Sequence, residues 1–217
     1  WNSTNRHGFL HGLNKYIQMT IEFYKYQGTG NDFILLDNRG NSFDEITARE
    51  INFMCHRRFG IGADGLMLLN MKEGYDFEMK YFNADGNPSS MCGNGGRCLI
   101  KFASMLGIKK KKYHFIAVDG EHEGEIDLSG EVRLKMQDVN EMEFVYSHYI
   151  LNTGSPHYVK NVPELDEVNV VEEGRKIRNS KEFEKEGINV NFVQVINDDT
   201  IFVRTYERGV EDETLSC

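Results

Sequence analysis

The chain has 217 residues, of which 40% are hydrophobic and 12% aromatic, so it can bury a core in one large domain or two small ones. Its net charge of −9 argues against nucleic acid or an anionic membrane as a partner, because both attract basic surfaces. The four cysteines are too sparse for a disulfide scaffold and lack the paired C-x-x-C spacing of a zinc site, so we expect no metal and a cytoplasmic protein.

The first 18 residues do not resemble a secretory signal, because they lack an apolar core and a small-residue cleavage site. No stretch of 18 apolar residues occurs anywhere in the sequence, so no membrane-spanning helix is predicted. Met19 follows this segment. We therefore interpret residues 1–18 as a leader or an added remnant and leave them out of the fold prediction.

Short strands and few helices are predicted in the next part of the chain. Apolar runs at 20–27 and 32–38 flank a glycine turn, which is typical of two strands joined by a tight connection. Apolar residues at helical spacing predict a helix within 46–60, with Cys55 on its buried face. Strands are then expected after Gly65 and through 76–86.

A second helix is predicted to open at the glycines after Cys92 and to end at Gly107. Cys98 lies on its apolar face and is expected in the core. The basic run 109–112 is expected to be a solvated loop, and three short strands follow it.

An internal repeat runs through the sequence with an offset of 124 residues. The matching segments occur in the same order in both halves, and their offset varies by only one residue. They are 29–34 with 153–158, 79–85 with 203–209, and Cys92 with Cys217. We predict two similar domains at 19–135 and 136–217, the alternative being chance matches within one strand-rich domain. The second half stops at Cys217, whereas the first continues past its equivalent cysteine, so we expect that a C-terminal segment beginning with a helix is not represented.

The position of Cys92 suggests acid/base chemistry. A thiol at a helix N-terminus lies beside backbone N–H groups and the positive end of the helix dipole, which lower its pKa and favour the thiolate. Glycines at 93, 95 and 96 let the backbone approach a bound carboxylate. A second such thiol at Cys217 suggests proton removal from one face of a carbon and delivery to the other, with inversion next to a carboxylate and no cofactor.

Six motifs carry a family resemblance over residues 19–217: KYQGTGNDFILLDNR, RRFGIGADGLMLL, YFNADGNPSSMCGNGGRC, NTGSPHYV, GINVNFVQV and RTYERGVEDETLSC. In this order they resemble the diaminopimelate epimerases. The resemblance implies a cofactor-independent homodimer that interconverts LL- and meso-2,6-diaminopimelate for lysine and peptidoglycan synthesis. It also implies an α+β fold of two similar domains related by a pseudo-twofold, each a curled, mostly antiparallel sheet around a central helix.

The same resemblance assigns roles to individual residues. Cys92 and Cys217 correspond to the acid/base pair, and His157 to a histidine near the second thiol. The expected substrate-binding residues are Asn31, Asn83, Gly93, Asn94, Asn189, Glu207 and Arg208. Among these, the backbone amides after Cys92 would hold the reacting carboxylate, and the Glu–Arg pair would bind the distal ammonium and carboxylate.

Three departures from the family pattern affect these expectations. Ser155 stands where asparagine is frequent, so a substrate hydrogen bond there would be shorter, absent or water-mediated. Gly65 stands where some members have glutamine, so no side-chain contact is expected from it. The Gly-Ser/Thr-Gly run that commonly follows the second cysteine is not present after Cys217, and a chain that ended there would have little activity.

The same residues allow other interpretations. The three asparagines could cap turns, Glu207 and Arg208 could form a surface ion pair, and His157 could be an interior histidine. The chain could instead be a proline or hydroxyproline racemase, although the polar residues favour a longer substrate with two polar ends. Cys92 and Cys217 could also be a redox-sensing thiol pair in a binding protein.

Overall fold

The computed structural model describes residues 6–11 and 20–214 and shows two compact units, Trp1–Lys135 and Met136–Cys217, which we call unit 1 and unit 2. Both combine a sheet with helices, so the α+β class is confirmed. In the part of the chain that is described, no helix is both long enough and apolar enough to cross a bilayer.

Unit 1 is built on an eight-stranded sheet whose strands lie side by side in chain order. The strands are β1 Arg6–His11, β2 Thr20–Gly28, β3 Asn31–Asp37, β4 Gly65–Asn70, β5 Phe77–Asn83, β6 Lys112–Ala117, β7 Gly120–Ile126 and β8 Val132–Leu134. The β3–β4 and β5–β6 pairs are parallel, and the other neighbours are antiparallel. Strand β1 comes from the segment that the sequence analysis set aside, and it pairs with β2.

Two helices, α1 Ala48–Cys55 and α2 Gly93–Met105, pack on opposite faces of this sheet. Alternation along β3 explains why both faces are apolar: Phe33 and Leu35 contribute to the core under α2, whereas Ile34 and Leu36 contribute to the core under α1. All four side chains are fully buried, and each contributes about 1.5–3 kcal/mol to folding.

Helix α1 is shorter than the sequence predicted. It begins with a capping box in which Thr47 accepts from the Glu50 N–H and the Glu50 carboxylate accepts from the Thr47 N–H. The chain leaves the helix at His56 and folds back so tightly that a Cβ on Gly60 would lie 2.0 Å from the Phe53 carbonyl oxygen. The predicted core position of Cys55 is confirmed, since it is 3% exposed.

Helix α2 begins and ends as predicted. Cys92 is its N-cap, and Gly107 follows its end with a φ of 97°, a conformation that glycine adopts without strain. Cys98 is 5% exposed in the core, as expected. The lysines at 109–112 are exposed, and Lys110 pairs with Asp76.

Unit 2 contains a six-stranded sheet in the order β14-β13-β12-β11-β10-β9. The strands are β9 Met142–Val145, β10 His148–Asn152, β11 Pro156–Asn161, β12 Asn189–Asn197, β13 Thr200–Glu207 and β14 Asp212–Thr214. The β11–β12 pair is parallel, and the other neighbours are antiparallel.

Helix α3, Val170–Arg178, follows a 3₁₀ turn at Leu165–Glu167 and was not predicted. Asn169 caps its N-terminus by accepting from the Glu172 N–H. Val170 and Gly174 are buried and Val171 and Ile177 pack against the same core, so the inward residues of this mostly polar helix lie on one face at helical spacing.

Equivalent strands of the two units pair in the same register, with the predicted offset of 124 residues. Phe33 pairs with Gly65 in the parallel β3–β4 ladder, and the residues 124 positions later, His157 and Asn189, pair in the β11–β12 ladder. In both units a helix, α1 or α3, connects the two parallel strands. The similarity of the two units is therefore confirmed. A counterpart of α2 would begin near Cys217, which lies outside the described residues.

Candidate active site

The predicted polar residues of unit 1 gather at one edge of its sheet. Asn31 opens β3 and Gly65 opens β4, and these two strands are parallel, so both begin at the same edge. Asn83 ends the antiparallel β5 directly opposite Gly65. Strand direction alone therefore brings together three positions that are far apart in sequence.

Cys92 lies at the N-cap of α2 in an extended conformation, with φ −122° and ψ 123°, and its side chain does not cap the helix. The Gly96 N–H donates to the Cys92 carbonyl at 2.8 Å. The N–H groups of the residues between them, Gly93 to Gly95, therefore face the N-terminal end of the helix and not its interior. A thiol that is partly exposed at this end can contact a ligand held by the same N–H groups.

The other described thiols have a different environment. Cys55 and Cys98 are buried, and burial raises the pKa of each thiol to about 12. Both therefore stay protonated and unreactive at neutral pH. Cys92 is the partly exposed member of these three described thiols.

Asn31 positions the Cys92 side chain. The Cys92 Sγ lies 3.6 Å from the Asn31 Oδ1, and the Asn31 Nδ2 donates to the Asp64 Oδ2 at 2.8 Å. Because a carboxylate can only accept, the amide nitrogen must face Asp64 and the amide oxygen must face the thiol. The contact orients Cys92 and favours its protonated form as the donor.

An ionic cluster fixes Asp64, the hydrogen-bond partner of Asn31. Arg57 donates to the Asp32 Oδ1 at 2.9 Å and to the Asp64 Oδ1 at 2.7 Å, and Lys25 pairs with Asp32. Burial raises the pKa of Asp32, but the hydrogen bonds and charges of Arg57 and Lys25 outweigh burial and hold that pKa below its usual range. This cluster was not predicted. Its signal in the sequence is Asp64, which directly precedes β4 and lies beside the start of the parallel strand β3.

The Asn94 side chain is hydrogen-bonded to other residues of the protein. It is 1% exposed, and its Oδ1 accepts from the Thr29 Oγ1 at 3.1 Å and from Arg97. Its backbone amide is thus the group suited to a ligand, as the sequence analysis expected. Asn83 differs, because it is half-buried and its side chain makes no hydrogen bond to any residue that the structure describes.

Packing gives a second reason for the two glycines at 95 and 96. A Cβ on Gly95 would lie 1.9 Å from the Met67 Cε, and a Cβ on Gly96 would lie 2.9 Å from the Met91 Cε. Both residues are buried against the core, so these glycines allow close packing of α2.

Unit 2 repeats the arrangement with other side chains. Asn189 opens β12 and is 2% exposed; its Oδ1 accepts from the Arg208 N–H at 2.8 Å, and its Nδ2 donates to the Ser155 Oγ at 3.0 Å. The Arg208 guanidinium donates to the Glu186 carbonyl at 2.9 Å and to the Ser155 Oγ at 3.4 Å. Glu207 ends β13 and is 7% exposed. Ser155 thus serves as an acceptor for two predicted binding residues.

His157 is held in one tautomer. The Asn191 Nδ2 lies 3.0 Å from the His157 Nδ1 and 3.2 Å from the Tyr158 carbonyl oxygen, and the Asn191 Oδ1 accepts from the Thr205 Oγ1 at 2.9 Å. An amide nitrogen donates, so Nδ1 accepts and the neutral ring carries its proton on Nε2. Burial and then the charge of Arg208 lower the His157 pKa to about 4. Asn191 and Thr205 were not predicted.

Within each unit, several of the predicted residues lie together. Unit 1 brings together Asn31, Cys92 and the amide of Asn94, and unit 2 brings together Ser155, Asn189 and Arg208. Cys217 lies outside the described residues.

A family model described as diaminopimelate epimerase matches residues 23–142 and 149–217. A diaminopimelate epimerase of Flavobacterium psychrophilum is 50% identical over 197 residues, which are 91% of this chain and 77% of that protein. A diaminopimelate epimerase of Chlorobaculum tepidum is 45% identical over 197 residues, which are 88% of this chain and 76% of that protein.

Solved structures show a similar fold at low sequence identity. A Bacillus anthracis phenazine biosynthesis protein of the PhzF family is 14% identical with a TM-score of 0.63, covering 99% of this chain and 76% of that one. A predicted epimerase from Pseudomonas aeruginosa is 12% identical with a TM-score of 0.58, covering 86% of this chain and 71% of that one. These likenesses concern the fold alone.

Proposed function

Because the chain belongs to the diaminopimelate epimerase family, we propose that it interconverts LL- and meso-2,6-diaminopimelate in the synthesis of lysine and peptidoglycan precursors. The reaction inverts one α-carbon: a base removes the α-proton from one face, and an acid delivers a proton to the other. In this scheme the chain's own side chains carry both protons, without a cofactor.

Cys92 is the acid/base of unit 1, and its place at the N-terminus of α2 is the observation that carries the proposal. Two opposing influences act on its proton. The helix N-terminus favours the thiolate, whereas the Asn31 amide oxygen, fixed by Asp64, favours the thiol. Because neither the thiol nor the thiolate is strongly favoured, Cys92 can donate a proton in one direction of the reaction and accept one in the other.

The reacting carboxylate binds to the N–H groups of Gly93 and Asn94. These groups face the helix N-terminus beside the thiol, where backbone donors and the helix dipole favour negative charge. Removal of the α-proton moves negative charge onto this carboxylate, so the same donors stabilise the carbanion as it forms. Asn83, half-buried at the same sheet edge, supplies a donor and an acceptor to the substrate's polar groups.

Unit 2 supplies residues for the distal end of the substrate. Asn189 and Ser155 position Arg208 through hydrogen bonds, and the Arg208 guanidinium can bind a carboxylate through two N–H groups. Glu207, at the end of the same strand, suits the distal ammonium. Ser155 is an indirect contributor in this proposal, since its hydroxyl accepts from Arg208 and Asn189.

Cys217 is the second acid/base, with His157 as a supporting residue. The support for Cys217 is its place in the family motif ERGVEDETLSC and its match to Cys92 in the repeat. His157 is neutral at pH 7 and offers an N–H at Nε2, so it donates a hydrogen bond without adding positive charge.

Incubation with LL-diaminopimelate in deuterium oxide tests the proposal. We expect meso product that carries deuterium at the inverted α-carbon, without added oxidant or reductant. Proline and hydroxyproline serve as controls, and inversion of either at a comparable rate would favour the racemase alternative. Absence of both inversion and α-deuterium exchange, with reversible formation of a disulfide, would favour the redox sensor.

We also propose that the protein is a cytoplasmic homodimer. The family resemblance supports the dimer, and three free thiols in the described residues suit a reducing compartment. Light scattering coupled to size exclusion should give about twice the 25.0 kDa of the chain. A mass equal to one chain at micromolar concentration would contradict the dimer.

A further inference from the structure

The turn that joins β2 to β3 contains a strained residue beside the candidate active site. Its two central residues, Thr29 and Gly30, both have positive φ angles, 54° and 90°. Glycine adopts this conformation freely, whereas a β-branched residue such as threonine does so only at a cost in energy. Strain of this kind persists where surrounding contacts impose it. A side-chain contact that glycine could not make is therefore expected at Thr29.

The Thr29 hydroxyl makes such a contact with α2. Its Oγ1 lies 3.1 Å from the Asn94 Oδ1 and 2.7 Å from the Gly28 carbonyl oxygen. The Arg97 guanidinium can only donate and bonds to the same Asn94 Oδ1, so this atom is the amide oxygen and the hydroxyl donates to it. The single hydroxyl proton is therefore shared between two acceptors. The turn and the helix also approach closely, because a Cβ on Gly28 would lie 3.1 Å from the Asn94 backbone oxygen.

Asn94 is the side chain by which the protein can anchor the first turn of α2. Three of the four residues at 93–96 are glycines, which are poor helix formers and offer no side chain to hold. The N–H groups of a first turn also lack partners within the helix, so this backbone is prone to fray. The bond from Arg97 comes from α2 itself, whereas the bond from Thr29 ties Asn94 to a separate element.

Two contacts join the turn to the helix, Thr29 with Asn94 and Asn31 with Cys92. The N–H groups of residues 93 and 94, which hold the reacting carboxylate in the proposed function, lie in the short stretch that these contacts span. We propose that Thr29 is a positioning residue, whose hydroxyl anchors Asn94 and thereby fixes these N–H groups beside the thiol. This role rests on the proposed function, because it serves the carboxylate site assigned there.

Alkylation of Cys92 with two reagents tests this role in the full chain. Iodoacetate and iodoacetamide both attack the thiolate, but iodoacetate carries a carboxylate that the adjacent N–H groups can bind. The ratio of the two rate constants at one pH therefore reports on these N–H groups, and the ionisation of the thiol cancels. The tryptic peptide 81–97 contains Cys92 as its single cysteine, so mass spectrometry can follow this thiol alone.

Four variants isolate the hydroxyl. Thr29→Val and Thr29→Gly both remove it, the first keeping the β-branched shape and the second relieving the strain. We expect each to lower the iodoacetate-to-iodoacetamide ratio about threefold to tenfold, the effect of losing one hydrogen bond. Thr29→Ser keeps the hydroxyl and should retain the wild-type ratio. Thr200→Val, the same change at an exposed position of unit 2, is the matched control and should leave the ratio unchanged.

Thermal denaturation separates positioning from folding. Thr29→Gly should melt within about 3 °C of the wild type, because relief of the strain offsets the lost hydrogen bond, and its ratio should fall nonetheless. A ratio that stays at the wild-type value in both Thr29→Val and Thr29→Gly would overturn the proposal. A ratio that falls as far in Thr29→Ser as in Thr29→Val would overturn it too, since the hydroxyl would then not be the cause.

Turnover of LL-diaminopimelate distinguishes this role from the proposed function. We expect kcat/KM to fall in Thr29→Val and Thr29→Gly by a factor similar to that of the alkylation ratio. A lowered ratio in a chain that does not invert diaminopimelate would support the role of Thr29 and contradict the proposed function. An unchanged ratio in variants of an active epimerase would contradict the role of Thr29 and leave the proposed function in place.

Discussion

Unit 1 and unit 2 have the same strand register but carry different side chains at its functional positions. The pairs of equivalent residues are Asn31 and Ser155, Gly65 and Asn189, and Asn83 and Glu207. Unit 1 places a thiol and neutral polar groups at this edge, whereas unit 2 places a carboxylate and a guanidinium there. A repeated backbone thus sets the positions, and substitution at a few strand ends sets the chemistry.

The sheet faces of the two units also differ. In unit 1 the face that carries Phe77 and Met79 is covered by α2, and both residues are buried. The equivalent residues of unit 2, Ile201 and Val203, are 60% and 38% exposed among the described residues. In unit 1, burial of this face therefore depends on the covering helix α2.

The largest expected effect concerns the thiol that unit 1 places at the helix N-terminus. Cys92→Ser should lower kcat for LL-diaminopimelate about 10³-fold with little change in KM, because a hydroxyl ionises far less readily than a thiol. Cys55→Ala, which removes a buried thiol, is the control and should keep its activity. A Cys92→Ser enzyme with full turnover would show that this thiol carries no proton.

The next largest effect is a difference in stability loss between equivalent positions on the two sheet faces. Phe77→Ala should lower the free energy of unfolding by about 3–4 kcal/mol, since it leaves a cavity in a closed core. Ile201→Ala, at the equivalent position of unit 2, should cost less than about 1 kcal/mol because the side chain is 60% exposed. Urea denaturation measures both, and similar losses at the two positions would mean that Ile201 is buried in solution.

A smaller effect is expected at the start of β4. A Cβ on Gly65 would lie 2.5 Å from the Phe82 carbonyl oxygen and 2.5 Å from the Tyr81 ring, so Gly65→Ala should cost about 2 kcal/mol in unfolding free energy. Gly40→Ala is the control, because its nearest atom is 3.9 Å away. Equal stability of the two variants would show that unit 1 can accept a side chain where unit 2 has Asn189.

The smallest effect concerns the pair Phe33 and His157. Because the folded-state pKa of His157 is about 4, below its unfolded value near 6.5, the unfolded state binds an extra proton between these pH values. Stability is therefore lost as pH falls through this window, by about 1–2 kcal/mol after allowance for partial exposure. His157→Phe should remove this loss, which urea denaturation from pH 7 to pH 4 can measure. An unchanged pH slope would contradict a buried, neutral histidine.

Much of the fold was predictable because its signals are local. The turn at 28–31, the end of α2 at Gly107 and the core position of Cys98 follow from glycine placement and apolar spacing. Helix α3 was missed although Val170, Val171 and Ile177 lie on one face at helical spacing, because the helix is short and its central residue, Gly174, is a poor helix former. The supporting residues Asp64 and Asn191 were missed because their partners lie more than 30 residues away.

The sequence by itself determined the repeat, the thiol before the glycine-opened helix and the polar residues at the strand ends, since each is a matter of residue type and spacing. The tertiary structure decided which atoms those residues contact. The parallel β3–β4 pairing places Asp64 beside Asn31 and so turns the amide oxygen toward Cys92, and the parallel β11–β12 pairing places Asn191 beside His157. Hydrogen bonds between distant segments depend on strand register, which the whole sheet sets and no short stretch of sequence contains.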